Sequence, residues 1–375
     1  MEIPPVHTRR SLQPLSWLYG VGVNFRNYLF DRNVLKRRSF PVPVICVGNL
    51  TVGGTGKTPH IEYLIRLLSP SYRVAVLSRG YKRKSRGFRI VESSSPVTEV
   101  GDEPLQMKRK FPEVMVVVDA HRVKAIDKLL TIEKEERPEV ILLDDGFQHR
   151  YLQPSLSILL VDSNRPVFED KLLPAGSLRE PLKGKDRASM VIVTKCNPDM
   201  QPIDFRIYTN GLSLFAYQDL FFTSLQYGMV HPLFPDLREE RYVLDDLRKK
   251  HVFLVTGIAS PQPLADKLEH KTYNLYTKFF PDHHSYREED IDSIRQLTGS
   301  VEVDDDDKII LTTEKDATRL RELPFLDEKM KQMLYYLPIR VAFVEEGDKE
   351  LFNQKILAHV RNHQANSRLP ERQDR

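Results

Sequence analysis

The sequence predicts a doubly wound α/β fold on a mostly parallel sheet, with a second, smaller α/β lobe, and three observations carry that expectation. Apolar runs rich in Val, Ile and Leu recur along the chain, continuous rather than alternating, as in strands buried on both faces. Helical stretches lie between several of them. One run, Val44-Ile45-Cys46-Val47, breaks into the glycine-rich stretch Gly48-Asn49-Leu50-Thr51-Val52-Gly53-Gly54-Thr55-Gly56-Lys57-Thr58, which reads as strand, phosphate loop, helix.

A chain of 375 residues is long enough for two cores. Its net charge of +4 gives no argument for nucleic acid as a partner. Two cysteines, Cys46 and Cys196, offer no disulfide framework and fit a reducing, cytosolic setting. No secretory signal pattern is visible, and no apolar run approaches the ~20 residues of a membrane-spanning helix. Contact with a membrane, if any, is therefore expected at its surface.

Taken in order, residues 1–13 predict no structure. From Pro14 to Arg38, Leu15, Leu18, Gly22, Phe25 and Leu29 recur at helical spacing, with Trp17, Val21 and Tyr28 widening the apolar face. Arg26, Arg32, Lys36, Arg37 and Arg38 add positive charge. Such a helix suits an anionic bilayer surface, and it equally suits packing on the body of its own domain. Residues 1–38 are thus one segment. The core, 39–205, carries the phosphate loop, the helix through Ile61, Leu64, Ile65, Leu67 and Leu68, and strands at Arg73–Ser78, Val114–Asp119, Val140–Asp145, Leu156–Asp162 and Met190–Lys195. A helix is expected at Ala120–Glu136. The alternating aromatic pattern of 206–235 suggests a hairpin-like β linker. The second α/β lobe, 236–375, is expected to hold strands at His251–Gly257, Thr272–Phe280, Lys308–Thr313 and Arg340–Glu345, and helices at Gln262–Glu269, Arg287–Leu297 and Lys349–Arg361. The tail from Asn362 is poor in apolar residues and is expected to be disordered.

In the loop, Gly53, Gly54 and Gly56 leave no Cβ between backbone N–H groups and an anion. Lys57 would meet the β- and γ-phosphates, and the Thr58 hydroxyl a Mg²⁺ ion. The strict pattern wants glycine where this chain has Thr51. Strands ending in acids extend the pattern: Leu142-Leu143-Asp144-Asp145 is the usual place for a Mg²⁺-binding carboxylate opposite a phosphate loop. Gly146-Phe147-Gln148-His149-Arg150 adds polar groups at the same strand end. Gly101-Asp102-Glu103-Pro104 offers a proton acceptor and a metal neighbour, although residues alone favour a helix N-terminus with acids placed by the dipole. In Asp282-His283-His284, adjacent side chains on extended chain diverge, so one histidine orienting an acid is more economical than a metal pair. Two further strand-end loops, Ser78–Lys84 and Leu173–Pro181, each carry Gly and Arg and suit phosphate or an anionic headgroup.

Together these stretches, with Phe280-Pro281-Asp282-His283 and Thr313-Glu314-Lys315-Asp316, resemble the tetraacyldisaccharide 4'-kinase family of lipid A synthesis. In that family Ser or Thr replaces the first loop glycine, so Thr51 fits. The resemblance implies a P-loop NTPase-like fold and transfer of the γ-phosphoryl group of ATP, with Mg²⁺, to the 4'-hydroxyl of a tetraacylated glucosamine disaccharide 1-phosphate. It implies that Thr51, Val52, Gly53, Gly54, Thr55, Gly56, Lys57 and Thr58 hold the nucleotide, and that Thr58, Glu103, Asp144 and Asp145 lie in the metal region. Asp102 and His283 become a proton-accepting pair, with Lys57 as the third catalytic group and the histidine coming from the other lobe. Tyr81, Gln148, His149, Arg179 and Glu180 would face the lipid headgroup. The implied partners are a membrane-embedded glycolipid and an anionic membrane surface, with no nucleic acid and no obligate protein partner. The implied place is the cytoplasmic face of the bacterial inner membrane, peripherally bound. Two rivals remain in view. A membrane-associated ATPase switch would carry Lys where this chain has Val52. A kinase of a soluble acceptor would need no membrane-facing helix.

Overall fold

The computed structural model describes residues 8–368, so parts of both segments expected to lack structure, residues 1–7 and 369–375, lie outside the described residues. The chain forms two compact units, neither continuous in sequence. The first takes the residues up to Ser93, Met107–Leu225 and those from Val341; the second takes Ser94–Gln106 and Gln226–Arg340.

Along the chain, α1 (Gln13–Asp31) precedes β1 (Val44–Asn49), α2 (Lys57–Leu68), β2 (Val74–Ser78), β3 (Arg89–Ile90), α3 (Val97–Val100) and α4 (Asp102–Lys110). Then come β4 (Met115–Val118), α5 (Arg122–Leu130), β5 (Val140–Asp144), β6 (Leu156–Asp162), β7 (Met190–Thr194), α6 (Pro202–Leu212) and β8 (Asp219–Tyr227). The second unit continues with β9 (His231–Pro232), β10 (His251–Thr256), α7 (Gln262–Glu269), β11 (Asn274–Phe279), α8 (Glu288–Gly299), β12 (Lys308–Thr313), α9 (Glu314–Leu320), α10 (Glu328–Met333) and β13 (Leu334–Leu337). Finally β14 (Ile339–Phe343) and α11 (Glu346–Arg368) bring the chain back to the first unit.

The larger sheet has the order β14-β8-β7-β6-β1-β5-β2-β4-β3, the smaller β11-β10-β12-β13-β9. Every residue of β1 is buried. Its Val and Ile side chains each contribute roughly 1.5–3 kcal/mol relative to exposure, so the loop that follows springs from a strand costly to displace. β1 runs parallel to both β5 and β6, with Val47 opposite Asp144 and Asn49 opposite Leu160. The acid-bearing end of β5 therefore lies beside the start of the phosphate loop. Such carboxyl-end crevices are where open α/β sheets bind ligands.

Several local expectations need correction. Residues 206–235 do lead from the first unit to the second, but not as a hairpin: they hold the end of α6, then β8 and β9, which belong to different sheets. The signal overlooked there was a helix start, Pro202 at the first turn and Asp204 accepting the Gln201 N–H at 2.9 Å. The helix expected over 120–136 stops at Leu130, where the Thr131 hydroxyl bonds back to the Lys128 carbonyl. The helix of 14–38 stops at Asp31, followed by Asn33 at φ +56°. Residues 362–368, expected to be disordered, continue α11, whose buried Phe352, Ile356 and Val360 dock it earlier. Extending a docked helix needs no new nucleus.

Candidate functional site

The phosphate loop is shaped by its own glycines and by a second segment. Gly53 and Gly56 sit at φ +107° and +82°, which side chains rarely adopt. The Val52 N–H donates to the Ser177 carbonyl at 2.9 Å, and the Arg179 N–H to the Leu50 carbonyl at 2.7 Å. Loop and 177–179 segment are thus joined by main-chain bonds. Val52, Gly53 and Gly54 are exposed, Thr51 and Thr55 buried, and Lys57 and Thr58 half-buried at the first turn of α2.

Beyond β5, Asp145 adopts φ +47°, which turns its carboxylate toward cations: Arg179 Nη1 at 3.1 Å and Lys57 Nζ at 3.6 Å. Burial pushes its pKa up, but Lys57 and Arg179 outweigh it and hold the carboxyl below its ordinary value. Asp144, almost wholly buried, accepts from the Ser78 hydroxyl at 2.9 Å. Gln148 ties the cluster together, donating to the Asn49 carbonyl at 2.6 Å and to Glu180 at 3.1 Å while accepting from Arg179 at 3.2 Å. Glu180 also pairs with Arg187 at 2.9 Å. His149 is half-buried, and burial with the charges of Arg122 and Arg26 pushes its pKa down to about 4. Tyr81, in the loop after β2, is exposed. Expected residues Lys57, Asp145, Gln148, Arg179 and Glu180 are therefore brought together directly.

Helix α1 touches the same cluster. Tyr19 Oη donates to the Arg179 carbonyl at 2.7 Å, Arg26 to the Gln148 carbonyl at 3.0 Å, and Arg150 pairs with Asp31. The docked side carries Ser16 and Gly20 against Leu172 and, near its end, the fully buried Phe30 against Tyr151. The apolar side faces outward: Trp17 is 71% exposed and Phe25 63%, with Leu15, Leu18, Val21 and Tyr28 beside them. The helix thus packs on its own unit through one side while these apolar side chains stay exposed.

In the second unit, Asp102 lies at the start of α4 with its side chain buried. Its Oδ2 is 2.9 Å from His283 Nδ1, and Lys315 Nζ is 2.9 Å from His283 Nε2. An ammonium can only donate, so Nε2 accepts and Nδ1 carries the ring proton to Asp102. Burial raises the Asp102 pKa, yet the His283 bond with the charges of Lys315 and Arg319 holds it at about 2. Lys315 also pairs with Glu103 at 3.2 Å and Asp282 at 3.3 Å. His283 takes φ +58° and its N–H donates to the Gly257 carbonyl. Asp316, fully buried, fixes that corner by accepting from Thr256, Gly257 and Tyr286. His284 turns away and bonds Asp290 at 2.8 Å. The expectation that the histidine comes from the other lobe fails, because Ser94–Gln106 belongs to the same unit as His283.

Of the residues expected around a metal, Thr58, Asp144 and Asp145 belong to the first unit and Glu103 to the second, and no group of three or more Asp, Glu, His or Cys suited to a metal ion occurs among the described residues. Sequence reasoning passed over Arg122, buried and electrostatically coupled to Asp144 and Asp145, although Asp119-Ala120-His121-Arg122 is another strand end. It gave no role to Lys315 or Arg319. It also missed His60, fully inside α2, whose pKa burial pushes down to about 4.

Fold and loop together define a nucleotide-binding protein of the phosphate-loop class. The model of the family described as LpxK, tetraacyldisaccharide-1-P 4'-kinase, matches residues 8–361, and the chain belongs to that family. It is 48% identical over 369 residues to the tetraacyldisaccharide 4'-kinase of Bacteroides thetaiotaomicron, covering 97% of this chain and 96% of the relative. The Parabacteroides distasonis protein of the same name is 49% identical, with 93% and 94% covered. Among solved structures, "apo" form LpxK from Aquifex aeolicus in complex with ATP is similar at TM-score 0.70 and 34% identity, covering 93% of this chain and 98% of that one.

Proposed function

We propose that this chain transfers the γ-phosphoryl group of ATP to the 4'-hydroxyl of a tetraacylated glucosamine disaccharide 1-phosphate, a step of lipid A synthesis. One observation carries the reading: main-chain bonds join the candidate nucleotide loop to the segment bearing Arg179 and Glu180, the candidate headgroup residues, within one unit. Loop amides and Lys57 hold the transferred phosphoryl group, and Arg179 with Gln148, His149 and Tyr81 grips the acceptor headgroup.

Mg²⁺ suits the residues present, since Thr58 and the buried Asp144 offer the oxygen donors a hard cation takes. Bound there, it would neutralise charge on the phosphate oxygens. Asp145 and Glu103 are engaged by Lys57, Arg179 and Lys315, and serve better as partners of those cations. Asp102 accepts the proton of the acceptor hydroxyl. Held at about 2 it is fully ionised but weakly basic, which matches a loose transfer in which the hydroxyl turns acidic late. His283 and Lys315 fix its orientation.

The outward apolar face of α1 and its basic C-terminal flank suit an anionic bilayer, so the protein works peripherally, at the cytoplasmic face of the inner membrane. No described helix is long and apolar enough to span one. The test is incubation of the pure protein with γ-labelled ATP, Mg²⁺ and detergent-dispersed disaccharide 1-phosphate lipid, followed by chromatography. Label in the lipid fraction is expected without any added protein. Label appearing only as free phosphate, or only on a water-soluble acceptor, overturns the reading.

A further inference from the structure

We propose that His60 is a positioning residue for the nucleotide: it holds the Gly56 carbonyl inward and so keeps the Lys57 amide aimed at the phosphates. His60 Nδ1 lies 2.7 Å from the Gly56 carbonyl oxygen, and Nε2 lies 3.1 Å from Thr223 Oγ1 on β8. A carbonyl only accepts, so Nδ1 bears the hydrogen, and the neutral ring accepts at Nε2 from the Thr223 hydroxyl. Both polar ends of a side chain only 4% exposed are thereby satisfied.

The bond acts on the one peptide that most needs it. Gly56 stands at φ +82°, and the helix's own bond from the His60 N–H to its carbonyl is stretched to 3.4 Å. Glycine on one side makes this peptide easy to flip. A trans peptide is planar, with its C=O and N–H pointing in opposite directions. Holding the Gly56 oxygen toward the core therefore turns the Lys57 N–H, a donor without an intrahelical partner, to the face where an anion binds. In the flipped state a carbonyl oxygen would meet the phosphate instead. Thr223 completes the device, since its hydroxyl satisfies Nε2 in the tautomer that the Gly56 carbonyl requires.

The proposal rests on the reading of the loop as the ATP site, and the test separates the two. ATP binding at equilibrium, KM for ATP and for lipid, and the thermal midpoint are measured for His60→Leu, His60→Asn, Thr223→Val and Lys57→Ala. His60→Leu should weaken ATP binding about tenfold, the range of one lost hydrogen bond, with KM for lipid and the midpoint little changed. His60→Asn, whose amide N–H stands where Nδ1–H stood, should recover binding to within about threefold of the parent, and Thr223→Val should lose about threefold. Parental ATP affinity in His60→Leu overturns the proposal, as do losses that merely follow the midpoint across all three variants. Should His60→Leu fail to fold, parental affinity in Thr223→Val overturns it. Parental affinity in Lys57→Ala would instead remove the phosphate-loop reading itself.

Discussion

In the first unit the candidate site is drawn by the backbone, and in the second by charge. Gly53 and Gly56 take torsions open chiefly to glycine, and main-chain bonds from Val52 and Arg179 hold the loop's shape. Around Asp102 the geometry comes from side chains: His283, Lys315 and Arg319 converge on one buried carboxylate, and Glu103 and Asp282 balance the lysine. A backbone-built site leaves its mark in consecutive residues. A charge-built site gathers residues from loops far apart in sequence, with no local pattern to announce it. The first kind breaks when torsions change, the second when one charge is removed and its partners are left buried.

The largest effect should follow Lys57→Ala, with lipid phosphorylation falling about a thousandfold or more while the fold persists. Gly53→Ala sharpens the point. Nothing in the protein lies within 4 Å of the added Cβ, so a rise in KM for ATP reports the torsion and the methyl's approach to the phosphates, not a clash inside the chain. Activity near that of the parent in both variants would end the idea of a loop-based site.

Next come Asp102→Ala and His283→Ala, each expected to lower kcat about a hundredfold or more with little change in KM. Because the two act as a unit, the double variant should cost little more than the worse single one, and His284→Ala, bonded elsewhere, should be mild. Additive losses would dissolve the pair into independent roles.

A smaller effect belongs to α1. Trp17→Ser with Phe25→Ser should weaken flotation with anionic vesicles several-fold and leave the thermal midpoint unchanged, since both rings are exposed. Arg32→Glu with Lys36→Glu should do the same most strongly at low salt. Vesicle binding indifferent to all four would detach the helix from any membrane role.

The smallest effect concerns α11 in the first unit. Burial, aided by the charge of His363, lowers the pKa of His359, whose Nε2 meets Ser155 Oγ at 2.9 Å. A depressed pKa means that the unfolded chain binds the proton more readily, so this stability is present above about pH 6.5 and declines as pH falls below it. His359→Gln, which does not titrate, should narrow the difference in thermal midpoint between pH 7.5 and 5.5. An unchanged difference would place the acid sensitivity elsewhere.

The contrast also explains what could be read in advance. The strand and loop of 44–58 were legible because local periodicity and glycine spacing are backbone signals, and Asp144 and Asp145 because a strand end follows from an apolar run. The pairing of Asp102 with His283 came from family resemblance; the residues around Asp102 pointed to a helix N-terminus, and those around His283 to a histidine orienting an unnamed acid. Lys315 and Arg319 were invisible as site residues because only the fold of the second unit carries them to Asp102. His60 was hidden inside an apolar helical face, where a polar side chain reads as an interruption. The misread stretch 206–235 failed for another reason, since aromatic alternation around Phe205 and Tyr208 imitates a strand while Pro202 and Asp204 start a helix.

The interrupted course of the first unit bears on how it is made. Strand β14 and helix α11, which lay Phe343 and Phe352 against Phe221 of β8 in the large sheet, are encoded after Gln226–Pro338. At about 5–20 residues per second, a ribosome that has finished β8 needs on the order of ten seconds to supply them. For that interval Phe221 and its neighbours stand uncovered on a nascent chain while the inserted unit is already able to fold. The half-built phosphate-loop unit is then a natural client for a chaperone, and premature termination anywhere after Leu225 would leave the nucleotide loop on an unfinished sheet.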